Sequence, residues 1–254
     1  MMDIAIAAAR QAGALLGMYW ERGVVAEYKG AIDLVTEADR ASEALILDVL
    51  SRHFPDHRFH GEETGANGAP SSHVWLIDPL DGTTNFAHGY PQFSVSIALR
   101  IDGRTEIGVV FDPLRDELYT AGRGRGASLN GRSIRVSATP DLAHSFLVTG
   151  FPYDRQTSGH NNIQEHRAFL MQSQGVLRAG SAALDLAAVA CGRLDGYWEY
   201  KLSPWDWAAG ILLVEEASGR VTDAQGGAVG SRPEGIVASN GRIHEEMLDV
   251  LRDA

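Results

Sequence analysis

Apolar residues recur at helical spacing in two stretches near the start of the chain. Residues 3–22 carry one broad apolar face, and residues 36–54 carry a second, which Pro55 ends. The pattern therefore predicts two helices before residue 55. The apolar positions of the first face are Ile4, Ala8, Leu15, Leu16 and Tyr19. Those of the second face are Ala38, Ala41, Leu45, Val49 and Leu50.

Short apolar runs and alternating patterns then predict strands. A buried strand is expected at residues 74–77, and two more follow at 93–101 and 106–112. Residues 117–136 alternate around Asn130 and Gly131, a dipeptide typical of tight hairpin turns, and predict a pair of strands. By contrast, residues 62–72 are rich in Gly, Ala, Pro and Ser, which indicates a mobile surface loop.

The second half of the chain mixes both kinds of element. After a weak boundary near residues 138–145, a strand is predicted at 146–149. Helices are predicted at 161–173, 181–191 and 205–217. Because strands and helices alternate along the whole chain, we expect an α/β or α+β fold built in layers.

Composition limits the class of protein further. With 254 residues, 44% apolar and 22% charged, the chain can build a sizeable core in one domain or two packed halves. Its formal charge of −11 disfavours direct binding of duplex nucleic acid, which requires a basic face. An acidic chain would need metal cations or oriented backbone amides to hold an anionic ligand.

The single cysteine and the hydropathy indicate where the protein works. Cys191 excludes an intrachain disulfide framework and fits a reducing compartment, so we expect a cytoplasmic protein. The sequence has no run of about 18 apolar residues, so no membrane span is expected. Asp3 and Arg10 interrupt the first apolar stretch, which is typical of a helix of the mature protein rather than a signal peptide.

The stretch IDPLDGTTNF, residues 77–86, contains the densest chemical signal. Asp78 and Asp81 lie on a turn after an apolar strand, with the Leu80 carbonyl between them. Carboxylate and carbonyl oxygens are the ligands that Mg²⁺ prefers. If Gly82 and Thr83 begin a helix, their backbone amides are oriented to hold a phosphate. The stretch therefore predicts a metal–phosphate site, and solvated aspartates at a capped helix start are the structural alternative.

Three further segments contain acidic residues whose role the residues alone leave open. Glu62 and Glu63 form a pair that is usually solvated. Asp39 follows Thr36 at a helix start, where capping explains it equally well. Asp206 lies between two tryptophans, and a carboxylate in such a setting needs a partner such as a metal ion. An N-cap role for Asp206 fits the spacing as well.

These segments, in this order, resemble the inositol monophosphatase family of metal-dependent, lithium-sensitive phosphatases. WLIDPLDGTTNFAHGYPQFSVSIAL (residues 75–99) and PWDWAAGILLVEEASG (residues 204–219) are similar to the two family signatures. TGFP (149–152) and GSAALDLA (180–187) resemble the bacterial inositol-1-monophosphatase branch. The resemblance implies an α/β (α+β) layered sandwich, the sugar-phosphatase fold of fructose-1,6-bisphosphatase and inositol monophosphatase.

The resemblance also implies an organisation and an activity. Residues 1–254 would form a single catalytic unit. Its N-terminal α+β half, 1–140, would hold the metal and phosphate loop, and its C-terminal α/β half, 141–254, the substrate pocket. The implied reaction is Mg²⁺-dependent hydrolysis of a phosphate monoester, with inositol 1-phosphate as the expected substrate. Two or three Mg²⁺ ions, a homodimer and lithium sensitivity belong to the same expectation.

Individual roles are implied by matching positions. The implied magnesium ligands are Glu62, Asp78, the Leu80 carbonyl, Asp81 and Asp206. Thr83 and Asp39 match the pair that, with Glu62, orients the attacking water. The implied phosphate and substrate contacts are Leu80, Asp81, Gly82, Thr83, Gly180, Ser181, Ala182, Glu199 and Asp206. Lys29 and Arg178 are candidates for a further charged contact.

Three positions depart from the family pattern. Ser218 replaces the first glycine of a Glu-Ala-Gly-Gly motif, which concerns a turn. The arginine pair before GSAA is reduced to Leu177 and Arg178. Lys201 stands where this branch often has glycine, two residues after Glu199, and so bears on substrate preference.

Other functions stay open at the level of sequence. Similar scaffolds hydrolyse histidinol phosphate, fructose 1,6-bisphosphate, NADP or 3′-phosphoadenosine 5′-phosphate, and the fold does not determine the substrate. A regulatory interaction protein without enzymatic activity is an alternative of another class. A dinucleotide-binding oxidoreductase is disfavoured, because the glycine run Gly122, Gly124 and Gly126 precedes a strand-like segment rather than a helix.

Overall fold

The computed structural model of the chain describes residues 1–23, 26–28, 34–231 and 233–254. A short 3-10 helix at Leu142–His144 separates two stretches of helices and strands. The helices of the described residues are α1 (Met2–Arg22), α2 (Glu37–His53), α3 (Thr83–Ala87), α4 (Ile163–Leu170), α5 (Ala182–Ala190), α6 (Pro204–Glu216) and α7 (His244–Asp253).

The strands of the described residues form a two-stranded, an eight-stranded and a five-stranded sheet. The small antiparallel sheet consists of β1 (Ala26–Tyr28) and β2 (Leu34–Thr36). The eight-stranded sheet contains β3 (Arg58–Gly61), β4 (Gly65–Asn67), β5 (His73–Asp81), β6 (Ser94–Ile101), β7 (Arg104–Asp112), β8 (Glu117–Gly122), β9 (Gly126–Leu129) and β10 (Arg132–Ser133). The five-stranded sheet contains β11 (Phe146–Thr149), β12 (Gly175–Leu177), β13 (Gly196–Tyr200), β14 (Arg220–Asp223) and β15 (Gly235–Ser239).

Strand order shows how each sheet is built. The larger sheet runs β10-β9-β8-β7-β6-β5-β3-β4, an antiparallel meander in which only β3 and β5 pair in parallel among the described strands. The smaller sheet runs β12-β11-β13-β15-β14, with β11 parallel to both of its neighbours. Both sheets therefore contain a parallel pair, and parallel strands end at the same edge of a sheet.

Helices α1 and α2 cover one face of the eight-stranded sheet. Along β5, Trp75 and Ile77 contact this layer, while Leu76 contacts the opposite one, as the twofold period of a strand requires. The buried face of α1 is mostly alanine, and a Cβ at Gly13 would lie 2.5 Å from the ring of Phe111. Small side chains thus let α1 lie close to the sheet.

Helices α5 and α6 form the layer between the two large sheets, and one core cluster joins them to both. The two helices approach closely because Gly210 leaves room for Leu186, which a Cβ would meet at 2.6 Å. Helix α6 also lies directly on β7. A Cβ at Gly108 would be 2.8 Å from the carbonyl oxygen of Ala209 in that helix.

Helices α4 and α7 cover the outer face of the five-stranded sheet. Phe169 of α4 stacks against Trp198 of β13 with ring centroids 4.0 Å apart, and Met247 of α7 joins the same cluster. The layers therefore follow the order helix, sheet, helix, sheet, helix. This arrangement confirms the predicted α/β (α+β) layered sandwich.

Most predicted elements lie where the sequence pattern puts them. Helices α1, α2, α5 and α6 begin and end within two residues of the predicted bounds, and β11 coincides with the predicted strand. The Asn130 and Gly131 turn joins β9 to β10, with φ values of 49° and 77° that suit a tight hairpin. Among the described helices, none is long and apolar enough to span a membrane.

Three predictions were wrong in part. Residues 62–72 are not a loop throughout, because β4 returns along β3 in antiparallel pairing. Residues 117–136 form three strands rather than two, since a second turn at Gly124 separates β8 from β9. The helix predicted at 161–173 is confined to α4, because Gln172 and Ser173 already turn toward β12.

The fold predicts opposite effects for alanine at two glycines. Gly108→Ala should lower the free energy of unfolding by about 1–3 kcal/mol, or roughly 5 °C in melting temperature, because its Cβ meets the backbone of α6. Gly17→Ala, in α1, has no neighbour within 4 Å and should stabilise the helix by up to about 1 kcal/mol. Calorimetry of both variants checks the packing, and equal melting temperatures would contradict it.

Candidate active site

Parallel pairing of β3 and β5 brings the first two acidic residues together. Gly61 pairs with Ile77, and the backbone N–H of Glu62 donates to the Ile77 carbonyl at 3.1 Å. Glu62 and Asp78 are the next residues of the two strands and therefore lie side by side. Strand pairing thus explains why Glu62, whose role the sequence alone leaves open, lies beside Asp78.

A β-bulge in β5 explains why Asp78 and Asp81 face the same cleft. Asp78 pairs with Ser96 and Asp81 with Ser94, so three steps along β5 match two along β6. In a regular strand, side chains three positions apart point to opposite faces. The additional residue in the bulge lets both carboxylates line one cleft.

The carboxylate of Asp81 lies at the N-terminus of α5. It accepts hydrogen bonds from Ser181 Oγ at 2.6 Å and from the backbone N–H groups of Ala183 at 2.8 Å and Ala182 at 3.2 Å. Gly180 precedes this helix with a φ of 86°, a conformation that favours glycine. Helix α5 thereby contributes the predicted residues Gly180, Ser181 and Ala182 to the wall of the cleft.

Thr83 and Asp39 form the predicted pair. Thr83 Oγ1 donates to Asp39 Oδ1 at 2.9 Å, and the Leu80 carbonyl is a second acceptor at 3.0 Å. The other oxygen of Asp39 accepts from the N–H and hydroxyl of Thr36 in the capping box that begins α2. One carboxylate oxygen of Asp39 therefore caps α2 and the other accepts from Thr83. Gly82, at φ 97°, begins α3 beside them.

Asp206 reaches the cleft from the middle layer. Ser203 is the N-cap of α6, and its backbone N–H donates to Asp206 Oδ2 at 2.7 Å. Asp206 is therefore the third helical residue (N3), which closes a capping box, and not the N-cap itself. Because α6 packs across β5 and β6, its first turn ends beside the acidic stretch.

Glu199 is contributed by the five-stranded sheet. Thr149 of β11 pairs in parallel with Trp198 of β13, so Glu199 lies next to Gly150. A Cβ at Gly150 would lie 1.9 Å from Glu199 Oε1, which shows how closely the carboxylate covers this glycine. Tyr197 donates its hydroxyl hydrogen to Glu199 Oε2 at 2.8 Å.

One cleft of about 380 Å³ gathers nearly all of the predicted site residues. Asp39 does not line it and lies fully buried behind Thr83. Lys29 falls outside the described residues. The predicted residues in the lining are Glu62, Asp78, Leu80, Asp81, Gly82, Thr83, Arg178, Gly180, Ser181, Ala182, Glu199 and Asp206.

Burial and mutual repulsion raise the pKa values of these carboxyl groups. Burial raises the pKa of Asp81 to about 6 against the opposing hydrogen bonds from α5, and it raises the pKa of Glu199 to about 7. The pKa values of Asp78 and Asp206 are also raised, first by burial and then by the neighbouring carboxylates. The cleft is therefore a site where negative charge is unfavourable unless a cation shares it.

The donor set fits a hard divalent cation. Four carboxylates and the Leu80 carbonyl offer oxygen donors alone, the preference of Mg²⁺ rather than of zinc or copper. Within the described ranges, no three His, Cys, Asp or Glu side chains already meet at ion-binding distance. The neighbouring carboxylates raise one another's pKa values, and a cation would relieve that repulsion.

Sequence reasoning missed two residues that hold the site. Glu43 of α2 is fully buried and accepts from the backbone N–H groups of Glu63 at 2.9 Å and Thr64 at 2.8 Å, next to Glu62. The signal was available, because Glu43 lies one helical turn after Asp39 on a face that is otherwise buried. Tyr197 is the second, and no local pattern distinguished it from an ordinary core tyrosine.

The raised pKa values predict that the protein without metal loses stability as the pH rises. When folding raises the pKa of a carboxyl group, stability falls as the pH rises from the ordinary pKa to the raised one, and the loss levels off above the raised pKa. Between pH 6.5 and 8, Glu199 alone should lower the free energy of unfolding by about 1 kcal/mol, or roughly 3 °C. Calorimetry in EDTA checks the fall.

The pH window and a variant isolate this effect. Burial lowers the pKa of His244 to about 4. This residue therefore makes the protein more stable as the pH rises, but only up to about 6.5, the ordinary pKa of histidine. Glu199→Gln retains an acceptor for Tyr197 and should show a smaller fall above pH 6.5. An identical fall in wild type and variant would contradict the assignment to Glu199.

Comparisons with known proteins show the family to which the chain belongs. The chain matches the model of the inositol monophosphatase family over residues 1–254. It is 48% identical over 252 residues to Inositol-1-monophosphatase of Synechocystis, covering 98% of this chain and 88% of that protein. It is 47% identical over 256 residues to Nus factor SuhB of Escherichia coli K12, covering 100% and 96%.

A solved structure extends the comparison to the fold. The inositol monophosphatase from Anabaena superposes with a TM-score of 0.92 at 47% identity, covering 100% of this chain and 95% of that one. This likeness confirms the predicted sugar-phosphatase fold. On sequence and on structure, over its full length, the chain belongs to the inositol monophosphatase family.

Proposed function

We propose that the protein is a Mg²⁺-dependent phosphoric monoester hydrolase that converts inositol 1-phosphate to myo-inositol and phosphate. Family membership and the 48% identical Inositol-1-monophosphatase support a hydrolase of this class. One observation carries the proposal. Glu62 after β3, Asp78 and Asp81 of β5, and Asp206 of α6 in the other half line one cleft beside Gly82.

Magnesium is the cation that this donor set fits. Glu62, Asp78, the Leu80 carbonyl, Asp81 and Asp206 would hold two or three ions. When bound, Mg²⁺ lowers the pKa of a water molecule, neutralises phosphate oxygens and stabilises the leaving alkoxide. The family is generally Mg²⁺-dependent, which agrees with the oxygen-only donors.

The Thr83 and Asp39 pair would orient the attacking water. Asp39 accepts the hydroxyl hydrogen of Thr83, so a lone pair of Thr83 Oγ1 is available to accept a hydrogen bond from water in the cleft. Glu62 would accept the second hydrogen of that water. Phosphoryl transfer depends on position and charge neutralisation more than on covalent help. A nucleophilic cysteine or serine is therefore unnecessary.

Each of the two large sheets would contact a different part of the substrate. The backbone amides of Gly82 and Thr83 would hold the phosphate at the edge of the eight-stranded sheet. Glu199 would accept hydrogen bonds from hydroxyl groups of the alcohol, with Gly180, Ser181 and Ala182 forming the wall. Residues 1–254 would thus act as one catalytic unit whose halves, divided near residue 140, supply phosphate and alcohol contacts.

A homodimer belongs to the same proposal. Tyr90, Phe146 and Leu177 are apolar, more than a third exposed, and line a second cleft beside α5. Exposed apolar groups of this kind mark protein contact surfaces. Sedimentation at several concentrations tests the dimer. Lithium inhibition and a cytoplasmic location stay predictions.

A substrate panel tests the activity. Released phosphate should depend on millimolar Mg²⁺, fall with Li⁺, and be fastest with inositol 1-phosphate. The other esters to compare are histidinol phosphate, fructose 1,6-bisphosphate, NADP and 3′-phosphoadenosine 5′-phosphate. Mg²⁺ should also raise the melting temperature, because a ligand of the folded state stabilises it. Phosphate release from none of these esters would contradict the proposal.

Asp81→Asn tests the acidic cluster. The variant should fold, because asparagine still offers an oxygen to Ser181 and Ala183, while turnover falls roughly a hundredfold or more. Asp102→Asn, an exposed turn position, is the matched control and should leave turnover unchanged. Full activity of Asp81→Asn would remove this residue from the mechanism.

Glu43→Gln tests how the Glu62 turn is held. Glutamine has one acceptor oxygen, so either the Glu63 or the Thr64 N–H loses its partner. We expect the Mg²⁺ concentration for half-maximal thermal stabilisation to rise about tenfold, together with a loss of kcat. Glu37→Gln, on the exposed face of the same helix, is the control. A variant that lost stability without a change in Mg²⁺ response would assign Glu43 to the core alone.

A further inference from the structure

Lys201 adopts a backbone conformation that lysine rarely has. Its φ is 58°, in the left-handed region that favours glycine. Ser218, the other position where the family pattern has glycine, lies in the same region with φ 71°. The chain therefore retains the glycine-type backbone at residue 201 but places a long cationic side chain on it. Such a conformation persists only where the surrounding structure holds it, and the contacts of the Lys201 side chain show what does so.

The side chain of Lys201 contacts one turn of the segment between β11 and α4. Its ammonium group donates to Asp154 Oδ2 at 2.7 Å, Asp154 Oδ1 at 3.0 Å and Ser158 Oγ at 2.8 Å. The Asp154 carbonyl accepts from the N–H groups of Thr157 and Ser158, so the turn is itself compact. A lysine has three donors on a compact charge, which matches this set of three acceptors.

The same segment forms one side of the cleft. Gly150, Phe151 and Tyr153 line the cleft together with the acidic residues, and Lys201 lines it as well. The base of the segment is held by buried Asn162, whose Nδ2 donates to the Gly150 carbonyl at 2.6 Å. Lys201 fastens the segment farther out, at residues 154–158. The position of Phe151 and Tyr153 is thus set from both ends.

We propose that Lys201 is a specificity-determining residue that fixes this wall of the cleft and so favours a compact polyol phosphate over a bulkier nucleotide phosphate. The inference rests on the proposed function. Lys201 acts through Asp154 rather than by contacting the substrate, because the carboxylate of Asp154 and the hydroxyl of Ser158 already take up its three donors. Lys201 is the one lysine among the described residues. Every other Lys or Arg position in those residues is an arginine.

The size of the effect follows from exposure. The side chain of Lys201 is 32% exposed and that of Asp154 is 50% exposed, so water weakens their attraction. An ion pair of this kind corresponds to no more than about a fivefold change in an equilibrium. We therefore expect a few-fold change in substrate preference, which high salt reduces.

The experiment compares two ways of removing the ion pair. In the full-length protein with Mg²⁺, kcat/KM is measured for inositol 1-phosphate and for adenosine 2′-phosphate. Lys201→Met and Asp154→Asn should each lower the ratio of the two values by about threefold to fivefold, and the double variant should lower it no further. Hydrogen exchange of residues 152–160 should become faster in both variants.

Two controls separate this role from a general loss of stability. Asp116→Asn removes an exposed ion pair with Arg10, on another part of the surface, and should change neither the ratio nor the exchange. Lys201→Gly removes the ammonium group together with the strained backbone. It should lower the ratio as Lys201→Met does, while unfolding at a higher temperature than that variant.

Two results would overturn the proposal. If Asp154→Asn leaves the ratio unchanged while Lys201→Met lowers it, the lysine contacts the substrate directly. If exchange accelerates but both ratios stay at the wild-type value, the ion pair is only structural. Failure of the proposed function gives a different result, because wild type would then hydrolyse neither ester. The exchange rates would still decide whether Lys201 holds the segment.

Discussion

Repulsion among carboxylates in one cleft is the constraint on which the rest of the structure depends. Acidic groups do not gather by their own attraction, so the scaffold must hold them. Three of them are held by backbone N–H groups: Asp78 by Leu80, Asp81 by the first turn of α5, and Asp206 by Ser203. Cores on both faces of the eight-stranded sheet stabilise this arrangement. Burial and the neighbouring carboxylates raise the pKa values of Asp78 and Asp206, so the ionised forms of these groups are still unfavourable.

The sequence predicted the parts of the site that are local in the chain. Asp78, Leu80 and Asp81 lie within four residues, so their spacing already indicates shared chemistry. Glu62 and Asp206 are distant in the chain and reach the cleft only through strand pairing and helix packing. The resemblance to a family, rather than their spacing, identified them. Glu43 was missed because polar residues at helical spacing were not counted toward the buried face of α2. That face contains Asp39, Ser42 and Glu43 as well as apolar residues.

The fold was predictable to a similar extent. Layering followed from the mixture of elements, but β1 to β3, β12 to β15 and α7 were not predicted. These strands have three to five residues, so few of their positions can show an alternation. The buried face of α1 differs from the predicted one, because alanines and Gly13 pack against the sheet where larger apolar residues were expected. Close packing selects small side chains, and hydrophobicity alone does not show it.

Asp39 contributes one carboxylate to two different contacts. One of its oxygens begins α2 and the other aligns Thr83. On the proposed mechanism, a substitution of Asp39 would alter folding and turnover together, and selection could not adjust one without the other. Natural variation in catalytic rate should accumulate instead at positions such as the segment beside Lys201, where the chemistry of the acidic cluster is untouched.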